Sequence, residues 1–131
     1  MVSKHDAQLL NHFYVALNGG DFDAAIDLCN KDVEVYQSPE VVAAMPPRGH
    51  RDVGQYLREF FASWHKYRPE PEEFVESEGR VVALVHLHAQ GLGSRFDIEE
   101  DIADVFEVDH GKISKLRLYV HRDQAFAQAN H

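Results

Sequence analysis

The second half of the chain alternates between apolar and polar residues, which is the pattern of β-strands. Four such segments follow one another: "EEFVES", "VVALVHLHAQ", "RFDIEEDIADVFEV" and "ISKLRLYV". Short turn sequences, "EGR", "GLGS" and "DHGK", separate them, and this arrangement is typical of consecutive hairpins. The sequence therefore predicts a four-stranded antiparallel meander, which constrains the fold more than any other feature.

The rest of the chain predicts mainly helices. Residues 4–18 follow the helical period and are followed by Gly19 and Gly20, which are typical of a helix C-terminus. Asp21 can cap a short helix over "FDAAIDLC", and residues 51–67 form a third helix. "DVEVYQS" alternates like a strand, "PEVVAAMPPRGH" is a proline-rich loop, and "RDQAFAQAN" adds a short C-terminal helix.

This order of elements predicts an α+β protein with a single domain over residues 1–131. The chain is long enough for one core, and 44% of its residues are hydrophobic. We expect the helices on one face of a curved, mainly antiparallel sheet. Wrapped around the N-terminal helices, such a sheet makes a cone-shaped α+β barrel, and it can leave a cavity beside the third helix.

Composition excludes several classes of partner and location. The net charge of −9 argues against nucleic acid and anionic membranes, because phosphate binding needs a surplus of Lys and Arg. No apolar run is long enough to cross a bilayer, and "MVSKHDAQLL" lacks the apolar core of a signal peptide, so we expect a cytoplasmic protein. Cys29 is the only cysteine, which excludes an internal disulfide framework and a multi-cysteine zinc site.

One acidic residue stands at an apolar position of the meander. Alternation places Asp104 on the same side of its strand as Ile102 and Phe106. In an apolar pocket its pKa would rise, since desolvation disfavours the charged form. It could then donate a hydrogen bond to a ligand carbonyl, or act as an acid or base near neutral pH. Alternatively, Asp104 pairs with Arg95, His50 or a backbone amide and only orders the sheet.

Hairpin pairing around "GLGS" sorts the residues of the meander onto two faces. The inner, apolar face carries Asp104 with Val85, Leu87, Ile102, Phe106, Leu116 and Leu118. The outer face carries His86, His88, Arg117 and Tyr119. Aromatic residues and arginine are enriched at protein interfaces, so we predict a homodimer through the outer face.

His86 and His88 meet one requirement of a metal site, because side chains at positions i and i+2 of a strand point the same way. Spacing along the chain reveals no third ligand nearby. We therefore interpret both histidines as surface or dimer-interface residues and predict no metal.

Three aromatic residues with polar tips are further candidates for ligand contact: Tyr14, Tyr36 and Trp64. Each could line the cavity, or it could be a core or rim residue whose polar atom finds a backbone partner. Glu34 shares strand parity with Tyr36, so it faces inward with it or faces solvent at the cavity mouth.

Three segments of the chain resemble one known family. "FYVALNGGDFDAAIDLCNKDVEVY", "GHRDVGQYLREFFASW" and "DVFEVDHGKISKLRLYVHRDQAFAQA" look like the SnoaL-like branch of the nuclear transport factor 2-like superfamily. The resemblance implies a cone-shaped α+β barrel with an apolar pocket, often dimeric through its sheet. It implies no single reaction, since members include ketosteroid isomerases, limonene epoxide hydrolases, polyketide cyclases and non-catalytic domains.

Ketosteroid isomerases allow a comparison residue by residue. Their helix-1 tyrosine, which holds the oxyanion together with a protonated acid, falls on Phe13, one residue from Tyr14, and that acid falls on Asp104. Their general base falls near Gln37, whose amide cannot accept a proton at neutral pH. For the epoxide hydrolases, one acid of the Asp-Arg-Asp set falls on Leu118. Both catalytic sets are therefore incomplete in this chain.

We predict a pocket for a small apolar molecule, with Asp104 as the catalytic residue if the protein is an enzyme. The reaction would be an isomerisation, cyclisation or lyase step on a carbonyl compound, with no cofactor and no metal. The alternatives are a non-catalytic pocket protein and a dimerisation module that uses the outer face. The predicted ligand-binding residues are Phe13, Tyr14, Tyr36, Trp64, Val85, Leu87, Ile102, Leu116 and Leu118.

Overall fold

The computed structural model describes residues 2–36 and 46–129, with side chains to residue 126. Helix α1 spans Lys4–Asn18, α2 Phe22–Asp27, α3 Gly49–Ala62 and α4 Arg122–Ala129. The strands are β1 Cys29–Tyr36, β2 Trp64–Ser77, β3 Arg80–Gly91, β4 Ile98–Asp109 and β5 Lys112–Val120. Most of the predicted proline-rich loop lies outside the described residues. In the part of the chain that is described, no helix is both long and apolar enough to span a membrane.

The first two helices begin with side-chain caps. The hydroxyl of Ser3 accepts a 3.1 Å hydrogen bond from the N–H of Asp6, and the carboxylate of Asp21 accepts one of the same length from Ala24. Each cap satisfies an N–H group that has no partner within its helix. Helix α1 has the predicted bounds, and Asp21 is the predicted cap of α2.

The third helix is shorter than the sequence predicts. It ends at Ala62 instead of residue 67, and Trp64 begins β2. That strand pairs with β3 from Trp64 to Ser77, whereas the sequence predicts only a short strand over "EEFVES". Tertiary pairing overrides the helical pattern here, and tryptophan and tyrosine favour strands. Pro69 and Pro71 are tolerated inside β2 because it is an edge strand.

The five strands form one sheet in the order β1-β5-β4-β3-β2. Strands β2 to β5 pair antiparallel with their neighbours, which confirms the predicted meander. Strand β1 adds to the far side of β5 in the parallel direction. The sheet is therefore mixed, and among the described residues it stays open, with β1 and β2 at its edges.

Two apolar clusters cover the two faces of the sheet. On the inner face, residues of α1 and α3 such as Leu10 and Leu57 pack with Val85 and Phe106. On the outer face, a smaller cluster joins α4 to the sheet; it consists of Val82, Ala103, Val105, Val120 and Ala125. The expectation that all helices share one face is therefore wrong for α4, because the outer face has its own apolar patch to cover. The predicted α+β class, with the sheet packed around the N-terminal helices, is confirmed.

Candidate functional site

Asp104 lies in β4 on the inner face of the sheet, opposite Ala83 of β3. It is 3% exposed, and no other charged side chain is buried among residues 2–36 and 46–126. Its neighbours on the same side of β4, Ile102 and Phe106, are buried as well. The structure thus places an ionisable group in apolar surroundings, as the alternation of the strand predicts.

Both carboxylate oxygens of Asp104 accept hydrogen bonds. The hydroxyl of Tyr14 in α1 donates to Oδ2 over 2.5 Å, and the backbone N–H of Tyr119 in β5 donates to Oδ1 over 3.0 Å. Of the partners considered from the sequence, the backbone amide is therefore the correct one. His50 instead has its Nε2 at 2.9 Å from the carbonyl oxygen of Cys29, and Arg95 is exposed.

Burial dominates the proton affinity of the Asp104–Tyr14 pair. Desolvation raises the pKa of Asp104 to about 6, although the hydrogen bonds from Tyr14 and Tyr119 favour the charged form and act in the opposite direction. Burial also raises the pKa of Tyr14 well above its ordinary value, and the charge of Asp104 raises it further. Asp104 can therefore gain or lose a proton near neutral pH while Tyr14 keeps its own.

A β-bulge brings Tyr119 next to Asp104. The pairing of β5 with β4 shifts opposite Asp104, where β5 has one residue more than β4. Tyr119 has φ +58°, a left-handed conformation that is uncommon for tyrosine. Its hydroxyl donates to Oε2 of Glu100 over 2.5 Å, and Glu100 is on the inner side of β4. The prediction that Tyr119 lies on the outer face is therefore wrong, because strict alternation does not account for the extra residue.

An aromatic group from the end of α3 and the start of β2 adjoins this site. The ring centroid of Tyr67 lies 4.9 Å from that of Phe60, 5.3 Å from Phe61 and 5.4 Å from Trp64. Burial raises the pKa of Tyr67, and the negative charge of Asp104 raises it further. Tyr67 therefore adds a further buried hydroxyl to the surroundings of Asp104.

Most of the predicted ligand-binding residues share the inner core with Asp104. They are Phe13, Tyr14, Val85, Leu87, Ile102, Leu116 and Leu118, and Trp64 packs at the margin of the same cluster. Tyr36 does not belong to this group. It lies on the outer face, where its ring centroid is 5.0 Å from the guanidinium carbon of Arg117 and its hydroxyl donates to Glu34 over 3.0 Å. The prediction that Tyr36 lines the cavity is wrong, because β1 turns Val33 and Val35 to the core. Of the two alternatives for Glu34, the inward one is excluded for the same reason.

The comparison with ketosteroid isomerases places their helix-1 tyrosine on Phe13. In the structure, the neighbouring Tyr14 is the residue that bonds Asp104. Phe13 packs edge to face against Phe106, with ring centroids 5.8 Å apart. Aligning a turn motif does not fix the rotation of the preceding helix, which depends on packing. Gln37 lies outside the described residues, and Leu118 is buried in the core.

The sequence does not predict Tyr67, Tyr119 and Glu100 as residues of this site, and the structure places Tyr119 there instead of on the outer face. Glu100 shares strand parity with Asp104, so alternation could have found it. Tyr67 is hidden by the assignment of its segment to a helix, and Tyr119 by the bulge, which has no sequence signal in this chain.

A second polar cluster lies on the outer face. His86 and His88 project from β3, with Asp101 and Glu99 directly opposite on β4. Ligand-type atoms of His86, His88 and Glu99 all lie within 4.8 Å of one another. Spacing along the chain does not reveal this third residue, because cross-strand pairing brings in Glu99. Arg117 also lies on this face, and the homodimer through it stays a prediction.

The chain matches the model of the SnoaL-like domain over residues 10–116. Because the match covers most of the chain, the protein belongs to the SnoaL-like family. This finding confirms the resemblance seen in the sequence. A comparison with curated proteins gave no match.

Solved structures share the fold over nearly the whole chain. TerC co-crystallised with polyporic acid has 17% identity and a TM-score of 0.77, covering 97% of this chain and 98% of that one. A protein of unknown function from Burkholderia pseudomallei K96243, described as NTF2-like, has 17% identity and a TM-score of 0.77 and covers 98% and 100%. RV0760c from Mycobacterium tuberculosis, in complex with estradiol-17β-hemisuccinate, has 18% identity and a TM-score of 0.72 and covers 92% and 97%. At these identities the likeness shows the NTF2-like fold alone.

Proposed function

We propose that the protein binds a small, largely apolar molecule that carries an oxygen group, and that Asp104 exchanges a proton with it. The observation that carries this proposal is a buried carboxyl group with a pKa raised to about 6, hydrogen-bonded to the hydroxyl of Tyr14. Such a group exists in both protonated and charged forms near neutral pH, which is what general acid–base catalysis requires.

Asp104 and Tyr14 together define where a reacting oxygen would lie. If the Tyr14 hydroxyl turns from Oδ2 toward a ligand, it and a protonated Asp104 both donate to the carbonyl oxygen. Two such donors stabilise the negative charge that develops on this oxygen when the neighbouring carbon loses a proton. Apolar side chains around the pair, such as Val85, Leu87 and Leu118, suit the hydrocarbon part of the ligand.

The reaction also needs a group that accepts the proton from carbon. Glu100 is the second carboxylate on the inner side of β4, four residues from Asp104 along the strand, and the Tyr119 hydroxyl holds it over 2.5 Å. Asp104 is then the acid at the carbonyl oxygen, and Glu100 is the base that accepts the proton from carbon. The proposed chemistry is a cofactor-independent isomerisation, cyclisation or lyase step on a carbonyl compound.

Non-catalytic binding of an apolar molecule is the second candidate, and one observation favours it. Both oxygens of Asp104 already accept hydrogen bonds within the protein, so the carboxylate has a structural role without any ligand. Two of the similar proteins have a largely apolar organic ligand: TerC was co-crystallised with polyporic acid, and RV0760c is in complex with estradiol-17β-hemisuccinate. This supports testing these two molecules as ligands.

One experiment separates the two candidates. 1-Tetralone is an apolar ketone whose hydrogens next to the carbonyl exchange with D2O, and proton NMR follows their loss. We expect the wild-type protein to accelerate this exchange and Asp104→Asn to lose roughly a hundredfold of the acceleration. Tyr36→Phe, which removes a hydroxyl on the outer face, is the matched control and keeps the wild-type rate.

Calorimetric titrations with 1-tetralone, polyporic acid and estradiol-17β-hemisuccinate complete the test. Saturable binding of any of them without accelerated exchange would favour the non-catalytic candidate. Absence of both binding and exchange would overturn the proposal.

A further inference from the structure

Three side chains of metal-ligand type meet where β3 and β4 pair on the outer face. His88 is directly opposite Glu99, and His86 lies two residues earlier on the same side of β3. Oε1 of Glu99 is 3.0 Å from Nδ1 of His88 and 3.9 Å from Nε2 of His86. Ligand atoms around a tetrahedral ion with bonds of about 2.0–2.1 Å are roughly 3.3 Å apart. Small side-chain rotations would therefore bring all three atoms to one ion.

A carboxylate on the far side of His86 orients its ring. Nδ1 of His86 is 2.8 Å from Oδ1 of Asp101. When the Nδ1–H donates to Asp101, the lone pair of Nε2 is left toward Glu99. Carboxylate–imidazole pairs of this kind hold metal-bound histidines in the correct tautomer and orientation. Asp101 is itself 3.7 Å from the guanidinium of Arg122, which anchors it on the sheet.

The surroundings of the cluster suit a cation that remains accessible from solvent. Oε2 of Glu70 lies 3.7 Å from Nε2 of His88, so a further carboxylate borders the site. The two imidazoles are 33% and 31% exposed. A groove of about 410 Å³ runs past His88 and Glu99 and leaves room for water to complete the coordination. Lys66 also lines this groove and adds one positive charge to the surroundings of a bound ion.

We propose that His86, His88 and Glu99 bind a divalent first-row transition-metal ion, with Asp101 as a positioning residue. Imidazole nitrogens with one carboxylate suit zinc, nickel or copper, whereas magnesium and calcium prefer oxygen ligands. Zinc is the ion to test first, because three protein ligands and a water complete its preferred four-coordinate shell. The site is on the face of the sheet opposite Asp104, so this proposal does not depend on the acid–base function proposed above.

Titrations of the full chain with Co²⁺ and Zn²⁺ test this site, in a preparation that carries no histidine tag. Visible absorption reports tetrahedral Co²⁺, and calorimetry gives the affinity and stoichiometry of Zn²⁺. We expect one ion per chain. His86→Ala, His88→Ala and Glu99→Gln should each lower the Zn²⁺ affinity about tenfold or more. His12→Ala, which removes an exposed histidine of α1, is the matched control and should leave the affinity unchanged.

Asp101→Asn separates positioning from ligation. It should keep one Zn²⁺ per chain but lower the affinity by roughly 10- to 100-fold, the range found when a carboxylate partner of a metal-bound histidine is lost. Far-ultraviolet circular dichroism of each variant confirms that these surface substitutions leave the fold intact. The proposal is overturned if the wild type binds no Zn²⁺, or if it binds Zn²⁺ no more tightly than folded His86→Ala does.

Discussion

The hydroxyl of Tyr14 donates a 2.5 Å hydrogen bond to Oδ2 of Asp104, which lies 90 positions further along the chain. Both side chains are buried, at 1% and 3% exposure. The bond joins the first helix to the fourth strand at the one charged group in the described core. The protonation state of Asp104 is therefore coupled to the stability of the whole fold as well as to the acid–base function proposed for it.

Asp104 should make stability fall as pH rises from about 4 to about 6. Its pKa is about 6 in the folded protein, against an ordinary value of 3.8, so the folded state binds more protons in this window. Its contribution to the free energy of unfolding is full below about pH 4 and is lost as pH rises through 6. At 1.36 kcal/mol per pKa unit, the loss is about 3 kcal/mol.

Urea unfolding of the wild type and Asp104→Asn, at about pH 4 and about pH 7, measures this loss. Because the other titrating groups are common to both proteins, the difference between them isolates Asp104. Relative to the variant, the wild type should lose about 3 kcal/mol between the two conditions. The same pH dependence in both proteins would show that Asp104 is not desolvated.

Tyr14→Phe should raise the pKa of Asp104 further, because the bond from the Tyr14 hydroxyl favours the charged carboxylate. The lost hydrogen bond should also lower the free energy of unfolding by about 1–3 kcal/mol. Carbon-detected NMR titration of the Asp104 carboxyl group measures the first effect, and denaturant unfolding the second. An unchanged carboxyl titration would contradict the role of this bond.

Tyr56→Phe is the control for that substitution. The hydroxyl of Tyr56 is buried and has no hydrogen-bond partner among the described residues. Removing an unsatisfied polar group should leave the free energy of unfolding unchanged or raise it by up to about 1 kcal/mol. If Tyr56→Phe lowered the free energy of unfolding as much as Tyr14→Phe does, the Tyr56 hydroxyl would have to be hydrogen-bonded like that of Tyr14.

His110→Gly should stabilise the protein. His110 lies in the β4–β5 turn with φ +51° and an exposed side chain. Glycine adopts this conformation without steric strain, so we expect a gain of about 0.5–1 kcal/mol in the free energy of unfolding. Gly111→Ala should act in the opposite direction, since Gly111 has φ +77° and a Cβ there would lie 3.2 Å from Nε2 of His5. Thermal and urea unfolding of both variants check the signs.

Arg122→Lys should loosen α4. The Arg122 guanidinium donates to the carbonyl oxygens of Ile102 over 3.1 Å and Val85 over 3.2 Å, and it pairs with Glu72 at 3.0 Å. A lysine cannot make these bonds together, because it lacks the planar fork of donors. The free energy of unfolding should fall by about 1–3 kcal/mol, and amides of α4 should exchange faster in deuterium-exchange mass spectrometry. Arg51→Lys, at an exposed position of α3, is the control. It should change the free energy of unfolding by no more than about 0.5 kcal/mol and should leave the exchange of the α4 amides unchanged.

Alternation within strands correctly predicts which site residues face inward wherever the strand pairing has no bulge. It places Asp104, Ile102 and Phe106 on one side of β4, and the structure agrees because this stretch pairs with β3 without a break. The same rule fails for Tyr119, where one extra residue in β5 reverses the side that it faces. This bulge depends on a tertiary contact, because the carboxylate of Asp104 accepts a hydrogen bond from the Tyr119 N–H. The local sequence of β5 therefore does not predict it.

Two other features depend on contacts between distant segments. Tyr67 belongs to β2 because β3 is there to pair with it, although the residues before it follow a helical pattern. Glu99 reaches His88 only through the register of β3 with β4. Spacing along the chain can identify residues that share an element, but the register between two strands decides which of them meet across it.

The position of β5 between β1 and β4 has a consequence for biosynthesis. Cys29 pairs with Ile113, and Tyr36 with Arg117, so β1 has no strand to pair with until residues 112–120 have left the ribosome. Until then, Val33 and Val35 belong to a nascent chain that cannot complete its inner core. Strand pairings of such long range form slowly and leave apolar strands open to aggregation. A chain from which β5 has not yet emerged therefore exposes apolar strands that chaperones bind, whereas a chain from which residues 112–120 have emerged can complete the sheet.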